Sequence, residues 1–178
     1  EDGGAGSHRL GDVFVGKVKN IVPNMGGSFI DIVIGLNCYY VIKDTGTSFF
    51  THKSGKKALC IGDELVVQIS REAVRTKAPT VTGNISFTGR YAVLTHGNTR
   101  IGVSSKIPKS LREEYKEKLS GFQNDRYGII IRTNAKDVPF QEVLDEISSL
   151  REEYEALFQT AATRKCFSCL KSAPPSYI

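Results

Sequence analysis

The sequence predicts a small closed β-barrel followed by a smaller α/β domain, so that the fold is α+β overall. Over residues 9–83, short runs of β-branched and aromatic residues alternate with glycine-rich or charged turns, which is typical of an all-β module. Over residues 84–178, a continuous apolar run precedes a long stretch with apolar residues every three or four positions. That change of period predicts a buried strand and an amphipathic helix. The chain of 178 residues is long enough for two such domains.

The first two predicted strands form an antiparallel hairpin around which the barrel is organised. Two alternating runs, Val13–Lys19 and Ser28–Ile32, flank the turn signal Pro23–Gly27. Because successive side chains of a strand point to opposite faces, half of each run faces the core and half faces solvent. The side chains assigned to the solvent face are Lys17, Lys19, Phe29 and Asp31.

Three further runs complete the predicted barrel, and each is short and rich in β-branched or aromatic residues. They are Asn37–Ile42, Asp63–Arg71 and Thr80–Phe87. The polar stretch Lys43–Gly62, which includes a basic cluster, is predicted to be a long loop. Five short strands with one long loop are typical of a barrel of the oligonucleotide-binding (OB) type.

The second domain is predicted from strands and helices together. Its elements are strands over Tyr91–Thr95, Arg100–Val103 and Tyr127–Arg132, a short helix after Ser110 and a long helix over Asp137–Thr163. Ser110 is the predicted N-cap of the short helix because Glu113 follows at capping-box spacing, and Gly121 is its predicted end. The strand Tyr127–Arg132 shows little alternation, so both of its faces are expected to be covered. Acidic residues off the apolar stripe of the long helix predict a solvated acidic face: Glu142, Asp145, Glu146, Glu152, Glu153 and Glu155.

Composition narrows the classes of function. The net charge of +5 fits an anionic partner. No apolar run approaches the roughly 18 residues that cross a bilayer, and no signal-peptide core precedes Gly11. The chain is therefore expected to be cytoplasmic and to have no membrane partner.

No catalytic or metal centre is evident in the sequence. Four scattered cysteines, Cys38, Cys60, Cys166 and Cys169, are too few for a disulfide framework. The CxxC spacing at Cys166 lacks two further zinc ligands, so the cysteines are interpreted as buried or spare thiols. Asp31 is the only acidic residue within an apolar strand, and one carboxylate does not hold Mg²⁺ for cleavage. There is no GxSxG elbow and no Walker-type loop.

Nucleic-acid binding fits the barrel better than catalysis. One face could carry Lys17, Lys19, Phe29, Tyr39, Arg71 and Lys77. Aromatic rings among cations suit a single-stranded nucleic acid, which needs stacking surfaces for bases and positive charge for phosphates. The alternative is that Phe29 and Tyr39 belong to the barrel core. Alternation favours exposure of Phe29, because it shares a face with Asp31.

A second candidate site lies at the carboxyl end of the predicted strand Tyr127–Arg132. There Arg132 and Thr133 precede a helix, and α/β sheets commonly hold phosphates at this position. Arginine offers a pair of parallel N–H donors, and threonine adds a hydroxyl and a backbone N–H. The alternative is that Arg132 caps the sheet through a local salt bridge.

Three stretches resemble the amino-terminal half of the ribonuclease E/G family, in order and in spacing. They read GDVFVGKVKNIVPNMGGSFIDI, QISREAVRTKAPTVTGNISFTGRYAVL and GIIIRTNAKD. The resemblance implies an S-one RNA-binding domain, which is an OB-type barrel, over residues 9–83. It implies an α/β 5′-sensor domain, which grips the 5′-monophosphate of RNA, over residues 84–178.

The resemblance also assigns roles to individual residues. The arginine and threonine that hold the 5′-phosphate match Arg132 and Thr133, and the glycine and valine that approach the 5′ nucleotide match Gly89 and Val93. The RNA-facing aromatic residues match Phe29 and Tyr39, where tyrosine replaces phenylalanine and keeps the stacking face. The basic residues match Arg71 and Lys77, where arginine replaces lysine and keeps the charge.

The sequence departs from the family in what it lacks. Family members carry a DNase I-like domain whose paired aspartates hold Mg²⁺, and a CPxC zinc link that joins protomers. Neither occurs in these 178 residues, and Cys166–Cys169 lacks the proline and lies in the wrong region for that link. Mg²⁺, Zn²⁺ and oligomerisation are therefore expected only of a full-length parent, and no cofactor is expected in this chain.

Two functions follow from these observations. The first is the RNA-binding and 5′-monophosphate-sensing portion of a Mg²⁺-dependent, single-strand-specific endoribonuclease of RNA processing and decay, inactive by itself. Its partner would be single-stranded RNA with a 5′-monophosphate. The alternative is a free-standing S-one-type protein, associated with ribosomes or transcripts, that uses the barrel alone. An intact small hydrolase would need a pair of carboxylates that the sequence does not supply.

Overall fold

The structure is a computed structural model that describes residues 8–172. Its strands are β1 (Val13–Val22), β2 (Gly27–Val33), β3 (Leu36–Val41), β4 (Phe50–His52), β5 (Glu64–Arg71), β6 (Thr80–Thr82), β7 (Ser86–Thr88), β8 (Ala92–His96), β9 (Ile101–Val103), β10 (Tyr127–Ile131) and β11 (Cys169–Lys171). The α-helices are α1 (Lys109–Lys118) and α2 (Phe140–Ala161). Short 3₁₀ turns cover Pro23–Met25, Ile42–Gly46, Ser120–Phe122 and Thr133–Asp137. The last residues of the predicted second domain, 173–178, lie outside the described range.

The first unit is a closed, five-stranded barrel of OB type, which confirms the predicted fold class. The strands follow the order β1-β2-β3-β6-β5, and β5 pairs back onto β1 to close the ring. The β3–β6 pair is parallel and the other four pairs are antiparallel. Two shorter strands extend this sheet, β4 on β5 and β11 on β1.

Alternation along these strands fills the barrel with apolar side chains. The buried cluster consists of Phe14, Val18, Ile30, Ile32, Cys38, Tyr40, Leu59, Leu65, Val67, Ile69 and Val81. Tyr40 is fully buried, and its hydroxyl hydrogen-bonds to Ser48 Oγ at 2.6 Å. A cluster of this size stabilises the fold by about 1.5–3 kcal/mol for each large side chain that is buried.

The predicted loop Lys43–Gly62 contains two elements that were not predicted. A 3₁₀ turn covers Ile42–Gly46, and β4 pairs with β5. The rest of the segment is held by the carboxylate of Asp63, which is 1% exposed. That carboxylate accepts hydrogen bonds from the backbone N–H groups of Ser54 at 2.9 Å and Cys60 at 2.8 Å.

Lys53 completes this arrangement, which we call the Asp63 clasp. Its Nζ lies 2.9 Å from Asp63 Oδ2 and donates to the carbonyl oxygens of Lys56 at 2.6 Å and Ala58 at 2.8 Å. Burial alone would raise the pKa of Asp63. The hydrogen bonds from Ser54, Lys53 and Cys60 outweigh burial and lower the pKa below its ordinary value.

The second unit is a four-stranded sheet in the order β7-β8-β10-β9, with β9 and β10 parallel. One face of this sheet packs against α2, and Phe87 lies 5.8 Å from Tyr154 between ring centroids. The other face is open at Ile130 in the middle of β10, which is 36% exposed while its neighbours Ile129 and Ile131 are buried. The prediction that β10 is covered on both faces is therefore wrong. Its apolar run reflects a central strand with one open face.

The predicted fifth strand Thr80–Phe87 is two strands in two different sheets. The chain leaves the barrel after β6 and enters the second sheet at β7. Gly83 lies at the break, where an added Cβ would collide with the side chain of Ser48. Glycine at this position permits the close approach of Ser48, and the apolar pattern runs on past the break because Phe87 is buried in the second sheet.

Helix α1 begins earlier than the capping box indicates. Its N-cap is Pro108, whose carbonyl accepts the N–H of Arg112 at 2.9 Å, and no side chain caps the helix. Ser110 therefore lies inside the first turn. The fixed φ of proline sets the start of the helix and takes precedence over the serine signal. The helix ends at Lys118, and the predicted end Gly121 lies in the 3₁₀ turn that follows.

The chain divides into two compact units. Of the described residues, the barrel unit contains 8–85 and 157–172, and the second unit contains Ser86–Ala156. The predicted division at residues 83 and 84 placed the carboxyl-terminal segment with the second domain. In the structure this segment belongs to the barrel unit, because β11 pairs with β1 and Phe158 packs against Phe49 at 4.9 Å between ring centroids.

None of the helices in residues 8–172 has both the length and the apolar composition that a membrane-spanning helix requires.

Candidate functional site

Two aromatic rings lie side by side on the outer surface of the barrel. Phe29 on β2 and Tyr39 on β3 are direct register partners, with ring centroids 6.0 Å apart in an edge-to-face arrangement. Both are half-buried, and neither belongs to the buried barrel cluster. The core lies on the opposite face of the same strands, at Ile30 and Tyr40. The ring faces therefore remain available for stacking.

A glycine makes room for Tyr39. A Cβ at Gly27 would lie 2.6 Å from both Cζ and Oη of that ring, so only glycine lets the ring lie across β2. The tyrosine hydroxyl donates to the carbonyl of Met25 at 3.3 Å. The glycine-rich stretch after Pro23 thus has a packing role in addition to forming the turn.

A single row of register partners crosses the five strands of the barrel and passes through this aromatic pair. In order across the strands, the row is Asn20, Phe29, Tyr39, Thr80 and Arg71. Arg71 is exposed at the end of β5. We call these five residues the aromatic row. It brings three of the predicted RNA-binding residues, Phe29, Tyr39 and Arg71, into one line.

The predicted lysines differ in their surroundings. Lys19 is exposed and lines a surface depression with Asn20, Phe29 and Asn37. Lys17 is half-buried and faces an acidic residue on each neighbouring strand, since its register partners are Asp31 on β2 and Glu64 on β5. Lys19 is therefore better placed than Lys17 to contact a phosphate beside Phe29.

Lys77 lies in the loop between β5 and β6. This loop forms a tight turn in which Val74 and Lys77 exchange backbone hydrogen bonds of 3.2 and 2.9 Å. Lys77 is exposed, as are the other residues from Arg71 to Ala78. It contributes positive charge near the Arg71 end of the aromatic row.

The residues predicted to bind a 5′-phosphate come together at the end of β10. Arg132 follows that strand, is exposed, and donates from Nη1 to the carbonyl oxygen of Gly89 at 2.8 Å. Its backbone N–H donates to the carbonyl of Tyr91 at 2.8 Å. Thr133 is hydrogen-bonded through its hydroxyl to Ser104 Oγ at 2.7 Å. Because this partner of Arg132 is a neutral carbonyl oxygen, the hydrogen bond does not neutralise the positive charge of the guanidinium. In the alternative of a local salt bridge, a carboxylate would neutralise it.

Val93 supplies an apolar surface beside this arginine. It is the register partner of Ile130, and both lie on the open face of the second sheet. Ile130 and Arg132 are two residues apart, so their side chains leave the strand on the same face. An exposed cation next to an exposed apolar surface can hold a phosphate and the nucleoside attached to it.

Glu146 of α2 contacts the turn that begins at Gly89, next to Arg132. It was predicted to lie on a solvated acidic face, but its carboxylate accepts hydrogen bonds from three consecutive backbone N–H groups. Their donors are Arg90 at 2.7 Å, Tyr91 at 2.7 Å and Ala92 at 2.9 Å. The prediction of a solvated position is wrong for Glu146, because its hydrogen-bond partners are more than fifty residues earlier in the sequence. Helical periodicity indicates which residues share a face of the helix, but not which distant segment contacts that face.

The cysteines contribute no cluster. Cys38 is buried, and its pKa is raised to about 12 by burial and then by the charge of Asp31. Cys38, Cys60, Cys166 and Cys169 are all free thiols. Within residues 8–172, no group of three or more His, Cys, Asp or Glu side chains is placed to hold a metal ion.

Known proteins are similar in sequence to most of this chain. The model of the Ribonuclease E/G family matches residues 86–177. Ribonuclease E of Synechocystis sp. is 31% identical over 166 residues, covering 89% of this chain and 24% of the relative. Ribonuclease E of Nostoc sp. is 26% identical over 164 residues, covering 90% of this chain and 24% of the relative. Ribonuclease G of Escherichia coli K12 is 25% identical over 161 residues, covering 84% of this chain and 33% of the relative.

The chain thus spans about a quarter to a third of the length of these curated relatives. The family match covers more than half of its residues, including all of the second sheet and the segment that contains Arg132 and Thr133. The relatives extend the similarity across the barrel. This chain belongs to the ribonuclease E/G family.

Proposed function

We propose that this chain is the substrate-binding portion of a ribonuclease E/G-type endoribonuclease. It binds single-stranded RNA along the aromatic row of the barrel and holds a 5′-monophosphate beside Arg132. The observation that carries the proposal is the aromatic row, because it places two stacking surfaces and a cation in one line across the barrel. Base stacking is tolerant of sequence, so this face suits single strands in general.

The second sheet supports recognition of the RNA end. A terminal monophosphate carries nearly one more negative charge than an internal phosphodiester and exposes oxygens that a guanidinium can meet with two parallel N–H donors. Arg132 is exposed, and Thr133 adds a hydroxyl next to it. The first base can then lie against Val93 and Ile130 on the open face of the sheet.

Cleavage is assigned to a different part of the parent protein. Metal-dependent hydrolysis of a phosphodiester needs carboxylates that converge on Mg²⁺. The proposal places that chemistry in the portion of the longer relatives that this chain does not match. The chain by itself is therefore expected to bind RNA without cutting it.

Phe29→Ala is expected to weaken binding of a short single-stranded RNA by about 1–3 kcal/mol, because one stacked base loses its platform. The measurement is a fluorescence-anisotropy titration of a labelled oligoribonucleotide, with the fold of each variant checked by circular dichroism. Phe29→Leu is the matched control, since it keeps apolar volume and removes the ring face. If folded Phe29→Ala binds like wild type, the ring takes no part in binding.

Lys77→Ala separates the charge contribution from stacking. Its effect is expected to be uniform across RNA sequences and to reduce the slope of log affinity against log salt by about one. Phe29→Ala should leave that slope unchanged, because no phosphate contact is removed.

A further inference from the structure

We propose that Glu146 is a positioning residue of the 5′-phosphate pocket: its carboxylate holds the turn from Gly89 to Ala92, which in turn orients Arg132. The inference deepens the function proposed above and rests on it. Glu146 does not touch RNA in this account. It acts through the backbone of the turn.

The turn that Glu146 holds connects β7 to β8. Gly89 donates its N–H to the carbonyl of Ala92 at 2.8 Å, so residues 89–92 form the tight connection between β7 and β8. The next three N–H groups, those of residues 90, 91 and 92, all point at one carboxylate. Successive backbone N–H groups that converge in this way form an anion-binding nest. Glu146 fills that nest with charge-assisted hydrogen bonds.

The carboxylate of Glu146 lies close to the backbone of Gly89. A Cβ on this residue would lie 2.5 Å from Cδ and Oε2 of Glu146 and 3.0 Å from Oε1. The carboxylate cannot move away without giving up its three N–H donors. Gly89 is therefore required for the carboxylate to enter the nest, which is a reason for glycine that does not involve the RNA.

Arg132 is hydrogen-bonded to the same turn at two points. Nη1 of Arg132 donates to the carbonyl of Gly89 at 2.8 Å, and its backbone N–H donates to the carbonyl of Tyr91 at 2.8 Å. Both ends of Arg132 are thus attached to the turn that Glu146 holds. A turn released from Glu146 would leave the guanidinium free to adopt many rotamers, and the paired donors would no longer be pre-oriented for a phosphate.

The charge of Glu146 does not oppose this role. Its negative charge is offset by the three N–H donors of the nest, which are thereby unavailable to an RNA phosphate. The incoming phosphate is left to Arg132 and Thr133. A directly repulsive Glu146 would predict the opposite sign, because neutralising it would then strengthen binding of phosphorylated RNA.

The test is Glu146→Gln in the full 178-residue chain. Glutamine keeps the size, but its NH₂ group replaces one acceptor oxygen, so at least one of the three N–H groups faces a donor and the remaining hydrogen bonds lose their charge assistance. The matched control is Asp145→Asn, which removes one negative charge from the adjacent, exposed position, where the carboxylate accepts a hydrogen bond from the side chain of Gln141 at 2.8 Å. Each protein is titrated with 5′-phosphorylated and 5′-hydroxyl versions of one short RNA, and amide hydrogen exchange is followed at residues 90–92.

We expect Glu146→Gln to reduce the ratio of the two affinities at least fivefold, with unchanged affinity for 5′-hydroxyl RNA and faster exchange at residues 90–92. Glu146→Asp, which restores a carboxylate, should recover part of the ratio. Asp145→Asn should match wild type. A folded Glu146→Gln that keeps the wild-type ratio, or exceeds it, overturns the inference. Absence of any preference in the wild type would instead overturn the proposed 5′-phosphate recognition itself, so the two failures are distinct.

Discussion

Arg132→Ala is expected to abolish the preference of the protein for 5′-phosphorylated over 5′-hydroxyl RNA. Charge-assisted hydrogen bonds contribute roughly 1.5–3 kcal/mol in a sheltered site, which corresponds to a preference of about tenfold to hundredfold. Affinity for 5′-hydroxyl RNA should change little, since in the proposed function the barrel holds the rest of the strand. A paired titration of the two RNAs measures the ratio directly.

Two variants make this result specific. Arg132→Lys keeps the charge and loses the planar pair of donors, so the preference should shrink without vanishing. Arg126→Ala is the matched control, because Arg126 lies just before β10 in the same unit and pairs with Glu155 at 2.7 Å instead of facing the pocket. It should keep the wild-type ratio. A preference that survives in Arg132→Ala would place phosphate recognition elsewhere in the chain.

Asp63→Asn is expected to destabilise the barrel by about 3 kcal/mol at pH 7. The substitution leaves the partly buried Lys53 without its anionic partner, and the amide NH₂ that replaces one carboxylate oxygen faces the backbone N–H of either Ser54 or Cys60, donor against donor. Urea unfolding followed by far-ultraviolet circular dichroism measures the change. Asp137→Asn is the control, because its ion pair with Lys136 is exposed and should contribute less than about 1 kcal/mol. A stability equal to wild type would show that the clasp is dispensable.

The same pair of proteins should show a defined dependence on pH. The pKa of Asp63 is lower in the folded protein than in the unfolded chain. Its contribution is therefore fully present above the unfolded value of about 3.9 and is lost as the pH falls through the lower folded value. The difference in unfolding free energy between wild type and Asp63→Asn should accordingly narrow below about pH 4. A gap that stays constant down to pH 2 would contradict the ionised clasp.

Local patterns were sufficient to predict the barrel, the second sheet and the long helix. Alternation over Val13–Lys19 identified β1, and period-three and period-four spacing identified α2. The end of β10 was predictable because its apolar run ends there. The solvent side of Phe29 was predictable because side chains alternate between the two faces of a strand. These features depend on residues close together in the sequence.

What the sequence did not reveal depends on distant partners. Strand β11 is only three residues long and is defined by its pairing with β1. The nest around Glu146 joins α2 to a turn more than fifty residues earlier. The alignment of Tyr39, Thr80 and Arg71 requires the parallel β3–β6 pair. No local period encodes any of these contacts.

The return of the chain to β1 makes the barrel unit discontinuous in sequence. Val15 donates its N–H to the carbonyl of Ser168 and accepts from the N–H of Phe167, so the carboxyl-terminal segment is bound to the first strand by backbone pairing. A protease that nicks the chain once within residues 86–156 should therefore yield two fragments that stay associated until denaturant is added. A barrel cut out at residue 83 would lack β11 and leave that edge of β1 open to strands of other molecules. The fragment to express for binding studies consequently has two segments of the chain, and it must include both.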